Sequence, residues 1–448
     1  MKLWIIISHS AIINSKRGTV MDEKEFFSEL EALREGRMRL SSSTLKERND
    51  ALRLVSDALE KNKDWIFSEN RKDIEKWKDK LSESVLKRLL FDEKKLAGVR
   101  LGISDVVKLP DPVGKVTEKR ELDEGLVLQR VTVPIGTIGM IFESRPDALV
   151  QIVALAIKSG NALILKGGKE AERTNRALFE SIREGLSSSP LGSSFLIQIE
   201  SHEDVDRILK LDGDIDLLIP RGSNEFVRKV MANTNIPVLG HADGVCSVYV
   251  DEFANLEMAL GIVIDSKCDY PAACNAAECV IVNGKVKDAF LPMLGERAKE
   301  MGIVLHLDES ARDVIDGVPL KDSDVGREYL SLEMNVVVAK SIEDAVLYIQ
   351  KHGSKHTDAI VTDSIGSWRY FSSHVDSADV FWNASTRFAD GFRFGLGAEV
   401  GIATGKIHAR GPVGLEGLTT YKWLLSGHGD VVSPYTSGVK KFHHREIK

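Results

Sequence analysis

Between Ile138 and Gly222 the chain switches regularly between short apolar runs and amphipathic segments, and this alternation limits the available folds more than any other feature. "IGMIF" is followed by "PDALVQIVALAIKSG", "ALILKGG", "EAERTNRALFESIREGL", "SFLIQI" and "DLLIPRG". In the first helical segment Leu149, Ile152, Val153 and Ala156 share one face, Pro146 suits a first turn and Gly160 suits a C-cap. Strand–helix–strand repeats of this kind predict a parallel sheet with helices on both faces. A second alternating block follows Val248: "SVYV", the helix "NLEMALGIVIDSK", the strand "ECVIVN", a helix to about Met301, then "LEMNVVVAK", "IEDAVLYIQKHG" and "DAIVT". At 448 residues the chain is long enough for two α/β domains in tandem.

The flanking segments read differently. From Met21 to about Leu109 charged faces alternate with apolar residues at helical spacing, and "MDEKEFFSELEALREG" has acidic residues in its first turn, so the functional chain is expected to start near Met21. After "LPDPVGKV" the period becomes two, and a turn at Asp123-Glu124-Gly125 predicts a hairpin whose edge serves subunit pairing. A net charge of −7 gives no support for binding nucleic acid or an anionic membrane, and no apolar run approaches the ~18 residues of a membrane span. Small molecules and other subunits are the expected partners, and the cytoplasm the expected location.

Four cysteines, Cys246, Cys268, Cys274 and Cys279, are expected to be free thiols in a reducing compartment. Three of them fall within "SKCDYPAACNAAECVIVN". No C-x-x-C pair or histidine at zinc spacing accompanies them, so no metal is expected. A buried core thiol is the ordinary fate of each taken singly.

Three turns are candidates for anion binding. "VPIGTIGMIFESRPD" places Ser144-Arg145-Pro146 between a strand and a helix. "ALILKGGKEAERTN" places Lys166 and Lys169 at a strand's carboxyl end, and "IPRGSNEF" does the same for Arg221, Gly222 and Ser223. A tight turn that needs small residues is the favoured reading of the first taken alone, a solvated loop is the alternative for the second, and the G-x-G-x-x-G fingerprint is absent. Together on one sheet edge they favour a nucleotide.

The blocks "PIGTIGMIFESRPDALVQIVALAIKSGNALILKGGKEA", "IPRGSNEF…IPVLGHADGVCSVYVDE", "PAACNAAE", "HGSKHTDAIVT" and "NASTRFADGFRFGLGAEVGI" resemble the gamma-glutamyl phosphate reductase family, from about Met21 to about Trp423. They are also similar to the reductase half of pyrroline-5-carboxylate synthetase. The resemblance implies an α/β, aldehyde dehydrogenase-like fold: two parallel-sheet domains plus an oligomerisation hairpin. It divides the chain into an NADP(H)-binding domain (21–114 and 134–247), a catalytic domain (248–405) and oligomerisation segments (115–133 and 406–448).

The resemblance implies that the nucleophile is Cys274, in "PAACNAAE". An acyl phosphate is an electrophile with a good leaving group, and a thiolate attacks it to give a thioester that a hydride donor reduces to an aldehyde. Backbone N–H groups, with Asn275 or Ser144, are candidates for stabilising the oxyanion. Where oxidising aldehyde dehydrogenases carry a glutamate base for water this chain has Gly240 in "LGHADGV", which favours phosphate-dependent, reversible turnover. A histidine common in the family's "YIQKHGSKHT" block is Tyr348 here.

For the cofactor, the resemblance implies NADPH/NADP+, with Lys166 and Lys169 near the adenosine ribose, Gly222 and Ser223 at a phosphate-binding helix start, and Glu328 on the nicotinamide ribose, Glu333 being close by. Arg145, Arg387 and Arg393 are candidates to clamp the substrate's carboxylate or phosphate, with surface ion pairs as the alternative. The expected activity is reduction of L-glutamyl 5-phosphate to L-glutamate 5-semialdehyde in proline biosynthesis, by a homo-oligomer (dimer or tetramer) with glutamate 5-kinase as a possible partner. Two alternatives stand beside it: an oxidising aldehyde dehydrogenase of another substrate, marked by phosphate-independent turnover, and a non-catalytic kinase partner, marked by activity that survives Cys274→Ala.

Overall fold

The acidic segment after Met21 begins with a helix cap: Asp22 accepts the Glu25 N–H at 2.9 Å and opens α1 (Glu23–Ser41). A reciprocal capping box between Thr44 and Glu47 starts α2 (Leu45–Lys61). With α3 (Lys63–Trp77), α4 (Glu83–Leu89) and α5 (Glu93–Lys108) these helices form a layer whose apolar stripes, including Leu30, Leu52, Val55 and Ile103, are buried. The computed structural model describes residues 22–143, 145–200, 202–240 and 243–447. The expected start at Met21 and the role expected of Ser144 lie outside the described residues.

β1 (Val116–Asp123) and β2 (Leu126–Pro134) make the expected antiparallel hairpin. Next, β3 (Thr137–Phe142), α6 (Pro146–Ser159), β4 (Ala162–Lys166), α7 (Glu172–Ser187), β5 (Leu196–Ile199), α8 (His202–Ile208), β6 (Leu217–Arg221) and α9 (Asn224–Ala232) alternate. Pro146 sits in the first turn of α6, and Gly160 ends it at φ 77°, a conformation costly for any residue with a Cβ. The four strands are parallel in the order β5-β4-β3-β6, and β3 and β4 are buried throughout, as strands covered on both faces must be. Ile141 is opposite Lys166 and Phe142 is opposite Arg221, so Lys166 and Arg221 leave the sheet on the same edge.

A second parallel sheet follows, built from β7 (Cys246–Val250), β8 (Ala277–Asn283), β9 (Val304–Leu307), β10 (Val318–Pro319), β11 (Glu333–Ala339), β12 (Thr357–Val361) and β13 (Asp379–Trp382) in the order β10-β9-β11-β8-β7-β12-β13. Helix α10 (Leu256–Cys268) connects β7 to β8, and the loop that closes this crossover carries Cys274 at the amino ends of β7 and β8. The two parallel sheets with their covering helices make the α/β architecture that the strand–helix alternation predicts.

The chain then returns to where it began. β14 (Ile402–Ala403) pairs with β15 (Gly411–Pro412), and Val400, Ala403, Val413, Leu415 and Leu418 join the core formed around β3 and β4. The boundary expected at residue 405 therefore falls inside a segment that packs on the first sheet's core. β16 (Thr419–Ser426) and β17 (Arg445–Glu446) extend the hairpin into an antiparallel sheet ordered β16-β2-β1-β17. The hairpin is thus the middle of a sheet rather than its edge, because the C-terminal segment supplies both flanking strands.

Candidate active site

Cys274 lies half-buried in the turn before β8, and contacts distant in sequence fix its backbone. The Cys246 thiol donates to the Cys274 carbonyl at 3.3 Å. Thr386 Oγ1 donates to the Asn275 carbonyl at 2.7 Å, and the Asn275 amide Nδ2 donates to the Ala389 carbonyl at 2.8 Å. Gly244 approaches most closely: a Cβ there would lie 2.1 Å from the Cys274 carbonyl oxygen. Only glycine fits where two backbones meet in this way. Asn275, expected to serve an oxyanion, is buried, with its amide on the scaffold and its Oδ1 without a hydrogen-bond partner.

The other thiols have different surroundings. Burial pushes the Cys279 thiol up, and it lies in the core beside Tyr249 and Ile281. Burial also raises Cys246 well above its ordinary value, with the Asp358 carboxylate adding to the effect. Cys246 Sγ is 3.6 Å from His356 Nδ1, itself 2.9 Å from Thr357 Oγ1. Cys268 ends α10 and is raised by burial, with Lys267 pulling it back down. Among the described residues no group of three or more His, Cys, Asp or Glu is placed to hold a metal ion.

One guanidinium, that of Arg221, feels the thiol. Burial lowers the Arg221 guanidinium from its ordinary value while the Glu399 carboxylate opposes that shift, and Arg145 and Cys274 lie within its electrostatic reach. Glu399 also accepts the Gly391 N–H at 2.8 Å. Arg387 and Arg393 come together on Asp269, at 3.0 and 3.1 Å, and hold its carboxyl below the usual range. One carboxylate faces two guanidiniums there, which leaves a positive charge at the end of α10. Sequence reading passed over Glu399, Asp269 and Gly244, and gave Cys246 no role beyond a buried thiol. Position in "LGAEVG" and "DGVC" was the available signal, but their roles depend on contacts between segments far apart.

On the first sheet's carboxyl edge Lys166 is buried, and burial lowers its ammonium from the ordinary value. A Cβ on Gly167 would meet Asn175 Nδ2 at 2.1 Å, and the Oδ1 of this buried asparagine has no hydrogen-bond partner. Lys169 is exposed, with its Nζ 5.7 Å from the Trp77 ring centre, where Lys76 and Lys80 also lie at 5.5 Å. Ser223 caps α9 by accepting the Phe226 N–H at 3.4 Å, and a Cβ on Gly222 would meet the Glu143 carboxyl at 2.7 Å. Glu328 crosses from the second sheet's side to this helix, its Oε2 accepting from Asn224 Nδ2 at 2.7 Å. Glu333 lies apart from it, bonded to His306 at 3.0 Å.

Comparison with known proteins shows the family. The sequence model of the Aldehyde dehydrogenase family matches residues 15–315. Gamma-glutamyl phosphate reductase of Acetivibrio thermocellus is 46% identical over 416 residues, covering 93% of this chain and 96% of that protein. The enzyme of the same name from Ruminiclostridium cellulolyticum is 47% identical over 401 residues, covering 89% and 93%. The solved structure of gamma-glutamyl phosphate reductase from Thermotoga maritima superposes with a TM-score of 0.89 at 37% identity, covering 91% of this chain and 99% of that one. An acetylating aldehyde dehydrogenase from Geobacillus thermoglucosidasius, at 14% identity and a TM-score of 0.63, shares the fold. The chain belongs to the gamma-glutamyl phosphate reductases of the aldehyde dehydrogenase family.

Proposed function

We propose that the chain reduces L-glutamyl 5-phosphate to L-glutamate 5-semialdehyde with NADPH, in proline biosynthesis, through a thioester on Cys274. The observation that carries this reading is a half-buried thiol on a loop held by Gly244, Cys246, Thr386 and Ala389, within the electrostatic reach of the Arg221 guanidinium. A thiolate on so constrained a loop is preorganised for attack. The Cys274 thiolate sulfur bonds to the substrate's acyl carbon, the bond from that carbon to the oxygen bridging to phosphorus breaks, and phosphate departs with that oxygen and the electron pair. Arg221 and Arg145 are the proposed anchors for the departing phosphate, and the Arg387–Asp269–Arg393 cluster is the proposed seat for the substrate's carboxylate. Backbone N–H groups of the loop take the oxyanion role, because the Asn275 amide already serves Ala389.

The family uses a nicotinamide dinucleotide, and the residues present fit one. Buried Lys166, the unpartnered Asn175 Oδ1, the α9 start at Gly222-Ser223 and the carboxylate of Glu328 form a polar track along one sheet edge. The chemistry supplied by the bound dinucleotide is a hydride. Lys169, exposed beside Lys76, Lys80 and Trp77, is the proposed reader of a 2′-phosphate and the reason NADPH is preferred. Resemblance to oxidising aldehyde dehydrogenases puts Gly240 near the place of their water-activating glutamate, so phosphate is the proposed acceptor in the reverse direction.

The proposed assembly is a homo-oligomer paired through β16, whose Tyr421 and Leu425 are 53% and 57% exposed along one open edge. The NADP(H)-binding role is assigned to the first sheet and its helices, and the catalytic role to the second. We place the enzyme in the cytoplasm, where glutamate 5-kinase would supply the labile acyl phosphate; no helix among the described residues is long and apolar enough to cross a membrane. The test is NADPH oxidation with glutamate, ATP and a glutamate 5-kinase. Wild type should consume NADPH and Cys274→Ala should not; activity retained by Cys274→Ala would overturn the reading.

A further inference from the structure

The loop that carries Cys274 begins and ends on a buried ion pair. Lys267, next to last in α10, and Glu278, second in β8, are both fully buried, with Nζ 2.7 Å from Oε2. Removing two charges from water costs several kcal/mol each, and a well-packed apolar pair of similar volume is often as stable or more so. Stability alone therefore does not explain the pair. The other oxygen of Glu278 turns toward a different segment, where its Oε1 accepts the Leu330 N–H at 3.4 Å, and the Tyr329 N–H also bonds this carboxylate. Leu330 has φ 56°, in the left-handed region that a leucine seldom adopts, so the turn at residues 328–330 is held in a strained form. Two residues earlier, Glu328 reaches Asn224 in the first turn of α9.

We infer that the Lys267–Glu278 pair is a positioning device that sets the thiol loop in register with the dinucleotide site, by way of the 328–330 turn and Glu328. The inference rests on the roles proposed for Cys274 and Glu328. The pair clamps the two ends of the loop, and the second oxygen of Glu278 fixes the turn that aims Glu328 across to α9. A shift of the pair moves thiol and cofactor site relative to each other without touching either.

The test uses the full-length enzyme as wild type, as Glu278→Gln and as the apolar double variant Lys267→Met/Glu278→Leu. Measured for each are the melting temperature, the NADP+ dissociation constant, the rate of Cys274 alkylation by iodoacetamide with and without saturating NADP+, and kcat with its deuterium isotope effect from labelled NADPH. In wild type, NADP+ should change the alkylation rate. The double variant should melt at or above wild type and bind NADP+ with an affinity within about threefold, while its alkylation rate no longer responds to NADP+ and kcat falls on the order of 30-fold with a larger isotope effect. Glu278→Gln should lose the same response even if it melts lower. The inference is overturned by a folded double variant that keeps kcat and the alkylation response, by a wild type that shows no response, or by a double variant that does not fold. Failure of the underlying reading has a separate signature, namely undiminished reduction by Cys274→Ala.

Discussion

Replacing Gly244 by alanine tests whether the thiol's position is set by the strand behind it. The added methyl would sit 2.1 Å from the Cys274 carbonyl oxygen and 2.7 Å from both its carbonyl carbon and its Cα. Side-chain carbons essentially never approach closer than 3.0 Å, so one backbone must yield by about 0.9 Å, the shortfall from 2.1 to 3.0 Å. Both partners are main chain, which leaves no flexible side chain to give way, and the 3.3 Å bond from Cys246 to the same carbonyl goes with the shift. Overpacking of this kind costs about 1–3 kcal/mol of stability. A nucleophile displaced by roughly 1 Å loses on the order of 100-fold in rate, or about 2.7 kcal/mol of barrier. The assay is NADPH oxidation coupled to glutamate 5-kinase, with a melting curve to show that the variant is folded. We expect kcat to fall by about two orders of magnitude with little change in NADP+ affinity. A folded Gly244→Ala enzyme with wild-type kcat would mean that this backbone contact does not set the thiol's position.

Three further outcomes are expected. Lys169→Glu places a carboxylate beside the Trp77 ring, and the NADPH-to-NADH preference, measured as the ratio of kcat/KM values, should fall about tenfold or more. Burial lifts Glu278 from 4.5 to about 7, with Lys267 partly opposing it, so the folded state holds this proton more tightly than the unfolded chain does. Its stabilising contribution is therefore complete below its unfolded value and is lost as pH rises through about 7; Lys267→Met/Glu278→Leu should flatten the dependence of melting temperature on pH across that window. Trp423→Asp with Leu425→Asp puts charges on the open β16 edge, and light scattering should show a smaller species than wild type; an unchanged mass would remove β16 from the interface.

How far the sequence led depended on the range of the contacts involved. β3 and β4 were legible because strands buried on both faces read as unbroken apolar runs, and α6 because Pro146 and Gly160 mark its ends. The thiol loop was legible as a motif, with Cys274 set apart from the core thiol Cys279. Its supports were not. Gly244 meets Cys274 only because β7 and β8 pair with Cys246 opposite Ala277, a register no local pattern announces. The sharing of Asp269 by Arg387 and Arg393, and the Lys267–Glu278 pair, join segments through space, and charged residues read in isolation look like solvent-facing ones. β16 and β17 escaped notice because their pairing with β2 and β1 is entirely non-local and their faces are largely exposed, which blurs the alternation that marks a strand.

The proposed reaction turns on a Cys274 thioester that phosphate, and not water, resolves. Its most direct measurement is NADPH formation from purified glutamate 5-semialdehyde and NADP+ at increasing phosphate concentrations, with wild type and Cys274→Ala side by side. Wild type should turn over steadily at a rate that rises from zero with phosphate, and the variant should not turn over. Sustained NADPH formation without phosphate, or turnover by Cys274→Ala, would contradict the proposed reaction.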